Sequence, residues 1–308
     1  MKGKVLKSTG SWYTVETDDG LLLDCRLKGK FRLSDLDTTN PVSVGDDVIV
    51  SDEEDVDANV ITEVLPRQNY IIRQSPKQSA QRHIIASNIE QALLIVTVAK
   101  PRTSTGFIDR FLVTAEAYAI PTHIVFNKQD ALTEKELKKQ QAIAKVYEDI
   151  GYPVYYTSVP QEENVKTIHE LLKGKTTLLS GHSGVGKSTI VNSIYPDLNL
   201  RTKEISKKVK KGMHTTTFVE MHALPDDAYI IDTPGIKEFG LTDMEAAEVS
   251  GYFPEMRERL DNCQFNDCLH MNEPGCAVKE AVQNGEISEE RYHNYLSIVE
   301  NLLEDEKY

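Results

Sequence analysis

The chain has 308 residues, carries a net charge of −13, and contains 27% charged and 40% hydrophobic residues. This length suggests two or three domains, and the composition excludes a disordered chain. The acidic balance also excludes a protein that coats nucleic acid uniformly. The longest apolar run, Ala92–Ala99, is too short for a membrane span of about 20 residues, and no signal peptide is apparent at the start. We therefore expect a cytoplasmic protein without a membrane partner.

The first zone of the chain, residues 1–68, has the pattern of a small all-β domain. Asp18-Asp19-Gly20 is a hairpin signal between two of its apolar runs. The predicted strands are Gly3–Lys7, Ser11–Thr17, Leu21–Leu27, Val44–Val50 and Asn59–Leu65. Five short strands of this kind fit an OB-type barrel. An SH3-like barrel is the alternative, and the pattern does not decide between the two.

The second zone, residues 69–240, alternates strands and helices. Such alternation, with apolar strands, predicts a parallel sheet covered by helices on both faces. The predicted strands are Ala92–Ala99, Thr122–Phe126, Pro153–Thr157, Thr176–Leu179, Thr216–Leu224 and Tyr229–Ile231. The predicted helices are Ile108–Ala119, Thr133–Ile150, Val165–Leu172 and one that begins at Lys187.

The third zone, residues 241–308, is predicted to consist of helices around a group of cysteines. The helical stretches are Met244–Ser250, Ala277–Gln283 and Glu289–Glu304. The three zones together predict a multi-domain α/β protein with a barrel at one end and a helical domain at the other.

A glycine-rich loop lies between a predicted strand and a predicted helix, which is the context that a phosphate-binding loop requires. It reads Gly181, His182, Ser183, Gly184, Val185, Gly186, Lys187, Ser188, and it is followed by Thr189. The glycines allow backbone N–H groups to surround phosphate oxygens at the positive end of the helix. Lys187 is expected to reach the β- and γ-phosphates, and the Ser188 hydroxyl to bind Mg²⁺.

Two further motifs follow predicted strands. Asp232-Thr233-Pro234-Gly235 places a carboxylate where Mg²⁺ is held and a Gly235 N–H near a γ-phosphate. Asn127-Lys128-Gln129-Asp130 ends another strand, and the Asp130 carboxylate can accept two hydrogen bonds from guanine. Adenine lacks the exocyclic donor, so the site discriminates against it. Ser158, at the end of the next strand, is placed to present a loop N–H to guanine.

The order of these motifs is unusual for a GTP-binding protein. Asn127–Asp130 and Ser158 precede the loop Gly181–Ser188, and Asp232 follows it. In this order the chain resembles the circularly permuted GTPases. The N-terminal barrel and the C-terminal cysteines narrow the resemblance to the RsgA family of small ribosomal subunit biogenesis GTPases, and it covers essentially the whole chain.

The resemblance adds expectations for residues 212–217. This segment is similar to the family's switch I, so Thr216 is expected to bind Mg²⁺ and His214 to assist hydrolysis. Ile236 stands where many small GTPases have a water-orienting Gln, and intrinsic hydrolysis is therefore expected to be slow. A basic run, Arg201–Lys211, directly precedes the segment.

The C-terminal zone contains a candidate zinc site. Its ligands are Cys263, Cys268, His270 and Cys276. Three thiolates and one imidazole form a closed tetrahedral site, so one structural zinc ion per chain is expected. Cys25, alone in a predicted strand, is expected in the core instead.

The combined reading is a GTP-hydrolysing factor in late 30S subunit maturation, stimulated by the subunit and acting as a monomer. The resemblance implies GTP or GDP, the 30S subunit and 16S rRNA as partners. OB barrels bind RNA through surface aromatic and basic residues. The local candidates are Trp12, Tyr13, Phe31, Lys28, Lys30 and Arg32. Alternatives are a GTP-gated RNA-binding adaptor with negligible turnover and a P-loop ATPase or kinase, which Asn127–Asp130 opposes.

Overall fold

A computed structural model describes residues 1–28, 41–51, 59–75, 78–162, 164–198, 200, 219–232 and 244–305. The strands in these ranges are β1 (Lys2–Ser8), β2 (Tyr13–Thr17), β3 (Leu22–Leu27), β4 (Asp47–Ser51), β5 (Asn59–Val64), β6 (Tyr70–Ser75), β7 (Gln78–Ser87), β8 (Gln91–Val96), β9 (Thr122–Asn127), β10 (Val154–Thr157), β11 (Thr176–Ser180), β12 (Glu220–Leu224) and β13 (Ala228–Asp232). The helices are α1 (Thr105–Ala117), α2 (Glu134–Asp149), α3 (Val165–Leu172), α4 (Lys187–Ile194), α5 (Pro254–Arg257), α6 (Ala277–Gln283) and α7 (Glu289–Asp305).

Strands β1–β5 form a closed barrel. The strand order is β1-β2-β3-β5-β4, and β4 pairs back to β1, so that the described strands close into a ring. Strands β3 and β5 are parallel and the other pairs are antiparallel. This connectivity decides between the two candidate barrels, and the predicted OB type is confirmed.

The barrel interior is filled by side chains from alternate strand positions. Val5, Val15, Val48 and Ile61 are fully buried there. Cys25 is also fully buried, as predicted. Tyr13 is only 2% exposed and belongs to this core, so its proposed contact with RNA is wrong.

The hairpin β6–β7, which follows the barrel, is not among the predicted elements. It joins the barrel to the rest of the chain through Asp46, whose side chain is fully buried. The Asp46 carboxylate accepts hydrogen bonds from Arg67 Nε at 2.7 Å and from Ser87 Oγ at 2.6 Å. A buried carboxylate with a paired guanidinium fixes the orientation of both segments, because breaking the pair leaves an uncompensated charge.

The central sheet has five parallel strands in the order β10-β9-β8-β11-β13. Strand β12 departs from the expected parallel arrangement, since it pairs antiparallel with β13. The connection between them spans only residues 225–227, and Asp226 and Asp227 have positive φ angles of 66° and 52°. So short a turn cannot cross over the sheet, and it therefore forces antiparallel pairing.

Helices cover both faces of this sheet, as predicted. Ala92, Leu94 and Val96 of β8 pack with α1 and α2, whereas Leu93 and Ile95 pack with α3 and α4. The chain leaves β8 towards β9 and β10, then returns to β11 on the other side. Ligands of open α/β sheets bind at the carboxyl ends of strands where the connections diverge in this way. The loops after β8 and β11 meet there.

The last zone packs on α1. Its helical core contains Phe253, Met256, Tyr295 and Val299, together with Val113 from α1. The predicted helix Met244–Ser250 is instead a 3-10 helix over Ala246–Tyr252. The other two predicted helices correspond to α6 and α7.

Gly45 permits the close approach of the barrel to β7. Its φ is +91°, and a Cβ atom there would lie 2.2 Å from the Ser87 carbonyl oxygen.

We expect Gly45→Ala to lower the free energy of unfolding by about 3 kcal/mol or more, from backbone strain and overlap together. Gly20→Ala is the control, because Gly20 has φ +81° but open space around it, and it should cost only about 1 kcal/mol. Equal losses in urea unfolding would contradict this account.

Candidate functional site

The loop between β11 and α4 is built by glycines whose neighbours leave no room for a side chain. Gly181 has φ +132°, and a Cβ there would meet the Ile95 carbonyl oxygen at 2.1 Å. Gly186 has φ +109°, and a Cβ there would meet Asn127 Nδ2 at 2.3 Å. Helix α4 begins directly after Gly186, so the unpaired N–H groups of its first turn face the loop. This geometry suits an anion.

The predicted phosphate-binding lysine lies across the same loop. Lys187 Nζ donates to the carbonyl oxygen of Gly181 at 2.7 Å and to that of His182 at 3.4 Å. The His182 ring in turn contacts the Phe107 ring of α1 in a tilted arrangement, with ring centroids 3.9 Å apart. Sequence reasoning placed His182 in the loop but gave no indication of Phe107, which lies 75 positions away.

Asn127 links three loops at the carboxyl edge of the sheet. Its Nδ2 donates to the Val185 carbonyl oxygen at 2.9 Å, and its Oδ1 accepts a hydrogen bond from Thr157 Oγ1 at 2.9 Å. Asn127 is 3% exposed and Thr157 is fully buried. Asn127 therefore ties the phosphate-binding loop to the carboxyl ends of β9 and β10.

Lys128 reinforces the same contact from the surface. It adopts a left-handed conformation with φ 67°, and its Nζ donates to the carbonyl oxygens of Gly184 at 2.7 Å and Lys100 at 2.9 Å. Asn127 and Lys128, the first two residues of the motif, thus bond to the neighbouring loops. Asp130 is then available to bind a ligand. Sequence reasoning missed Thr157 and Lys100, because neither belongs to a recognisable motif.

Asp130 and Ser158 are brought together as a pair. Ser158 is fully buried, and its Oγ donates to Asp130 Oδ1 at 2.7 Å. Gln129 lies beside them and donates from Nε2 to the Phe126 carbonyl oxygen at 3.3 Å. Ser158 therefore orients the carboxylate, a contact that the sequence analysis did not include.

The remaining predicted nucleotide ligands lie in the loop, on α4 and at the end of β13. Ser183 is exposed in the loop, Ser188 is partly buried, and Thr189 is exposed on α4. Asp232 ends β13, in register with Leu179 of β11. His214, Thr216, Gly235 and the basic run Arg201–Lys211 lie outside the described residues.

The four predicted metal ligands converge in the C-terminal zone. One ligand atom from each of Cys263, Cys268, His270 and Cys276 lies within 4.8 Å of the other three. His270 Nδ1 is 3.2 Å from Cys276 Sγ and 3.6 Å from Cys263 Sγ, so this nitrogen faces the thiols. Three sulfur atoms and one imidazole nitrogen form a donor set that fits a tetrahedral ion.

Burial affects the protonation of these ligands in two ways: it keeps the imidazole neutral, and it keeps the thiols protonated until a cation replaces their protons. Desolvation raises the pKa of Cys268 to about 12, raises that of Cys276 and lowers that of His270. The imidazole is thus neutral and able to ligate, and a bound cation would replace the thiol protons. The Glu273 carboxylate accepts hydrogen bonds from the N–H groups of Leu269, Met271 and Asn272, which shapes the loop that carries two of the ligands.

The remaining surface predictions concern RNA-binding residues on the barrel and the possibility of a membrane-spanning helix. Trp12 is 37% exposed, and the Arg26 guanidinium lies 4.0 Å from its ring centroid. Phe31, Lys30 and Arg32 lie outside the described residues. Among the helices that the structure describes, none has the length and apolar character of a membrane span.

Comparison with known protein families agrees with this site. A family model described as the RsgA GTPase matches residues 64–242, and one described as the RsgA N-terminal domain matches residues 2–60. The chain belongs to the RsgA GTPase family. The expected GTP-hydrolysing activity is thereby confirmed, and an adaptor without turnover is not favoured.

Relatives of the RsgA family align over nearly the full length. The protein named small ribosomal subunit biogenesis GTPase RsgA is 53% identical in Bacteroides fragilis, over 100% of this chain and 99% of the relative. The same-named protein of Flavobacterium psychrophilum is 50% identical, over 100% and 94%.

Among solved structures, YjeQ from Thermotoga maritima superimposes with a TM-score of 0.81 at 37% identity, over 98% of both chains. YloQ, described as a circularly permuted GTPase, superimposes with a TM-score of 0.75 at 30% identity, over 99% of this chain and 95% of the other. The predicted permuted fold is therefore confirmed.

Proposed function

We propose that this chain hydrolyses GTP to GDP and phosphate during late maturation of the 30S ribosomal subunit, and that the subunit stimulates the reaction. The observation that carries the proposal is the joining of the phosphate-binding loop to the guanine motif through Asn127 and Lys128. The names of the relatives point to the small subunit. The partners would be the 30S subunit and its 16S rRNA, for a monomer in the cytoplasm.

The guanine base would be recognised at the edge formed by Asp130 and Ser158. The Asp130 carboxylate would accept hydrogen bonds from the N1 and N2 groups of guanine, with its direction set by Ser158 Oγ. The backbone N–H of Ser158 would donate to guanine O6. Asn127, Lys128 and Gln129 would hold this edge against the phosphate-binding loop.

The phosphates would be held by residues 181–189 and Gly235. Lys187 would exchange its two loop carbonyls for phosphate oxygens and neutralise charge that develops in the transition state. Ser188, Thr216 and Asp232 would hold Mg²⁺, a role for Asp232 that is supported by its position at the carboxyl end of β13 beside β11. The ion supplies charge neutralisation at the β- and γ-phosphates.

The C-terminal cluster would hold one structural zinc ion. Sulfur and imidazole donors favour zinc over magnesium or calcium, and four protein ligands leave no position for a substrate. We also propose that the domains meet at residues 68 and 240. These borders separate the barrel, the nucleotide-binding domain and the zinc-binding domain.

The most direct test is GTP hydrolysis titrated with purified 30S subunits. We expect slow turnover by the chain alone, because Ile236 cannot polarise water, and a saturable increase with subunit concentration. Turnover that stays negligible at every subunit concentration would support a GTP-gated RNA-binding adaptor instead.

Guanine specificity is predicted to depend on Asp130. Asp130→Asn should weaken GTP binding and raise the relative affinity for xanthosine triphosphate, because the amide offers a donor where the carboxylate accepted. Competition binding with both nucleotides measures this, with Glu134→Gln as a control on the nearby surface. Unchanged GTP affinity in Asp130→Asn would remove Asp130 from the site.

The zinc ion is predicted to be structural. Cys268→Ser should reduce the zinc content and the thermal stability of the C-terminal zone, while GTP affinity changes only a few-fold. Metal analysis and thermal unfolding measure these effects. Cys25→Ser is the control, because it also removes a thiol but should leave the zinc content unchanged. A zinc-free chain with undiminished thermal stability would contradict a structural role.

Stimulation by the subunit is predicted to act through His214 and the preceding basic run. His214→Ala should lower stimulated turnover by about 10²-fold if the imidazole orients or deprotonates the attacking water. Reversing the charge of Lys207, Lys208, Lys210 and Lys211 should reduce stimulation and its salt dependence while sparing intrinsic turnover. Full stimulated activity in His214→Ala would exclude this histidine from catalysis.

A further inference from the structure

Helix α1 is shared between the nucleotide-binding domain and the C-terminal zone. Ile108, Phe111 and Leu112 pack into the core beneath the sheet. Val113, on another side of the same helix, packs into the core of the C-terminal zone. A helix buried on two sides cannot move relative to one domain without disturbing its contacts with the other.

A buried ionic cluster fixes α1 to α7. Arg291 donates from Nη1 to Asp109 Oδ1 at 2.5 Å and from Nε to Glu255 Oε1 at 2.5 Å. Asn294 Nδ2 donates to the second Asp109 oxygen at 2.6 Å, and Tyr147 Oη donates to Oδ1 at 2.9 Å. Asp109 is fully buried and Arg291 is 2% exposed. Such a cluster defines one geometry, because any displacement leaves a buried charge without its partner.

The first turn of α1 contacts the phosphate-binding loop. The Phe107 ring contacts the His182 ring in a tilted arrangement, with an interplanar angle of 32°. The carbonyl oxygens of Gly181 and His182 are also the acceptors of the Lys187 ammonium. A shift of α1 would therefore move the loop backbone whose carbonyl oxygens hold the Lys187 ammonium.

Helix α7, which holds α1 through Arg291, also contacts the metal-ligand cluster. Tyr292 Oη of α7 donates to the carbonyl oxygen of His270 at 2.6 Å, and Tyr295 Oη donates to that of Leu269 at 2.8 Å. Both tyrosines lie on the same helix as Arg291. The segment that carries Cys268 and His270 is therefore bonded to the helix that holds α1.

We propose that Phe107 is a positioning residue for the phosphate-binding loop, and that through it metal binding at the C-terminal cluster and nucleotide binding reinforce each other. The inference rests on the proposed function, since it takes GDP and zinc as the two ligands. Zinc fixes the segment bonded to Tyr292 and Tyr295, α7 fixes α1 through Asp109, and Phe107 holds His182. The structure supplies a contiguous set of contacts, and a coupling between two sites must act equally in both directions.

The coupling is measured by titrating the full-length chain with a fluorescent GDP analogue, first loaded with zinc and then stripped by a chelator. Burial raises the pKa of Asp109 to about 6, so a buffer at pH 8 keeps the ion pair with Arg291 intact. Removal of zinc should weaken GDP binding by about three-fold, which agrees with the few-fold change expected for Cys268→Ser and is a weaker coupling than is typical between allosteric sites. Reciprocally, saturating GDP should raise the zinc affinity, measured by chelator competition, by the same factor.

Variants separate the positioning role from general stability. Phe107→Ala should bind zinc normally but show the same GDP affinity with and without it, whereas Phe107→Tyr keeps the ring and should keep the coupling. Arg257→Gln is the matched control, because Arg257 forms a half-exposed pair with Glu116 between the same two zones, away from the loop. It should retain full coupling. If Phe107→Ala does not fold, Phe107→Leu removes the ring and retains the bulk.

Three results would overturn the inference. Equal GDP affinity of the zinc-loaded and zinc-free wild-type chain would exclude the coupling. Undiminished coupling in Phe107→Ala or Phe107→Leu would exclude Phe107 as its route. A chain that binds no GDP in either state would contradict the proposed function itself, and the inference with it.

Discussion

The candidate site depends on the side chain of Asn127. Its amide donates to the Val185 carbonyl oxygen and accepts from Thr157, so a single buried group joins the loops after β9, β10 and β11. An unpaired amide at this depth would cost free energy, and the three loops are therefore held together by the need to satisfy it. Gly186 is required beside it, because a Cβ would overlap the amide nitrogen. In the proposed site, this contact keeps the base-binding edge and the phosphate-binding loop within reach of one nucleotide.

The permuted order of the motifs is compatible with the same site because strand ends, and not chain order, set the geometry. Strands β9, β10, β11 and β13 are parallel, and their carboxyl ends meet along one edge. Any chain order that keeps the sheet order β10-β9-β8-β11-β13 delivers Asn127, Ser158 and Asp232 to that edge. The surroundings of the sheet are specific to this chain. Helix α1 lies between the phosphate-binding loop and the C-terminal zone, and β12 pairs with β1 of the barrel through Lys7 and Glu220.

Much of this architecture is predictable from sequence where short-range pattern and chemistry agree. Gly181–Ser188 and the four metal ligands are recognisable because their spacing reflects the geometry of a phosphate group or a metal ion. The hairpin β6–β7 was not predicted because its apolar runs are short and are interrupted by polar residues. The closure of the barrel, the burial of Tyr13 and the cluster around Arg291 depend on contacts between distant segments, which no local pattern encodes. The roles of Thr157 and Phe107 could not be predicted for the same reason.

The central claim is that one guanine nucleotide lies across the edge formed by Asn127–Asp130, Ser158 and residues 181–188. A crystal structure of the chain with GDP and Mg²⁺ tests it most directly. The account predicts the base within hydrogen-bond distance of the Asp130 carboxylate and the β-phosphate surrounded by the loop, with Lys187 Nζ moved from its carbonyl acceptors to a phosphate oxygen. GDP bound elsewhere, or bound with Asp130 out of reach of the base, would contradict the account.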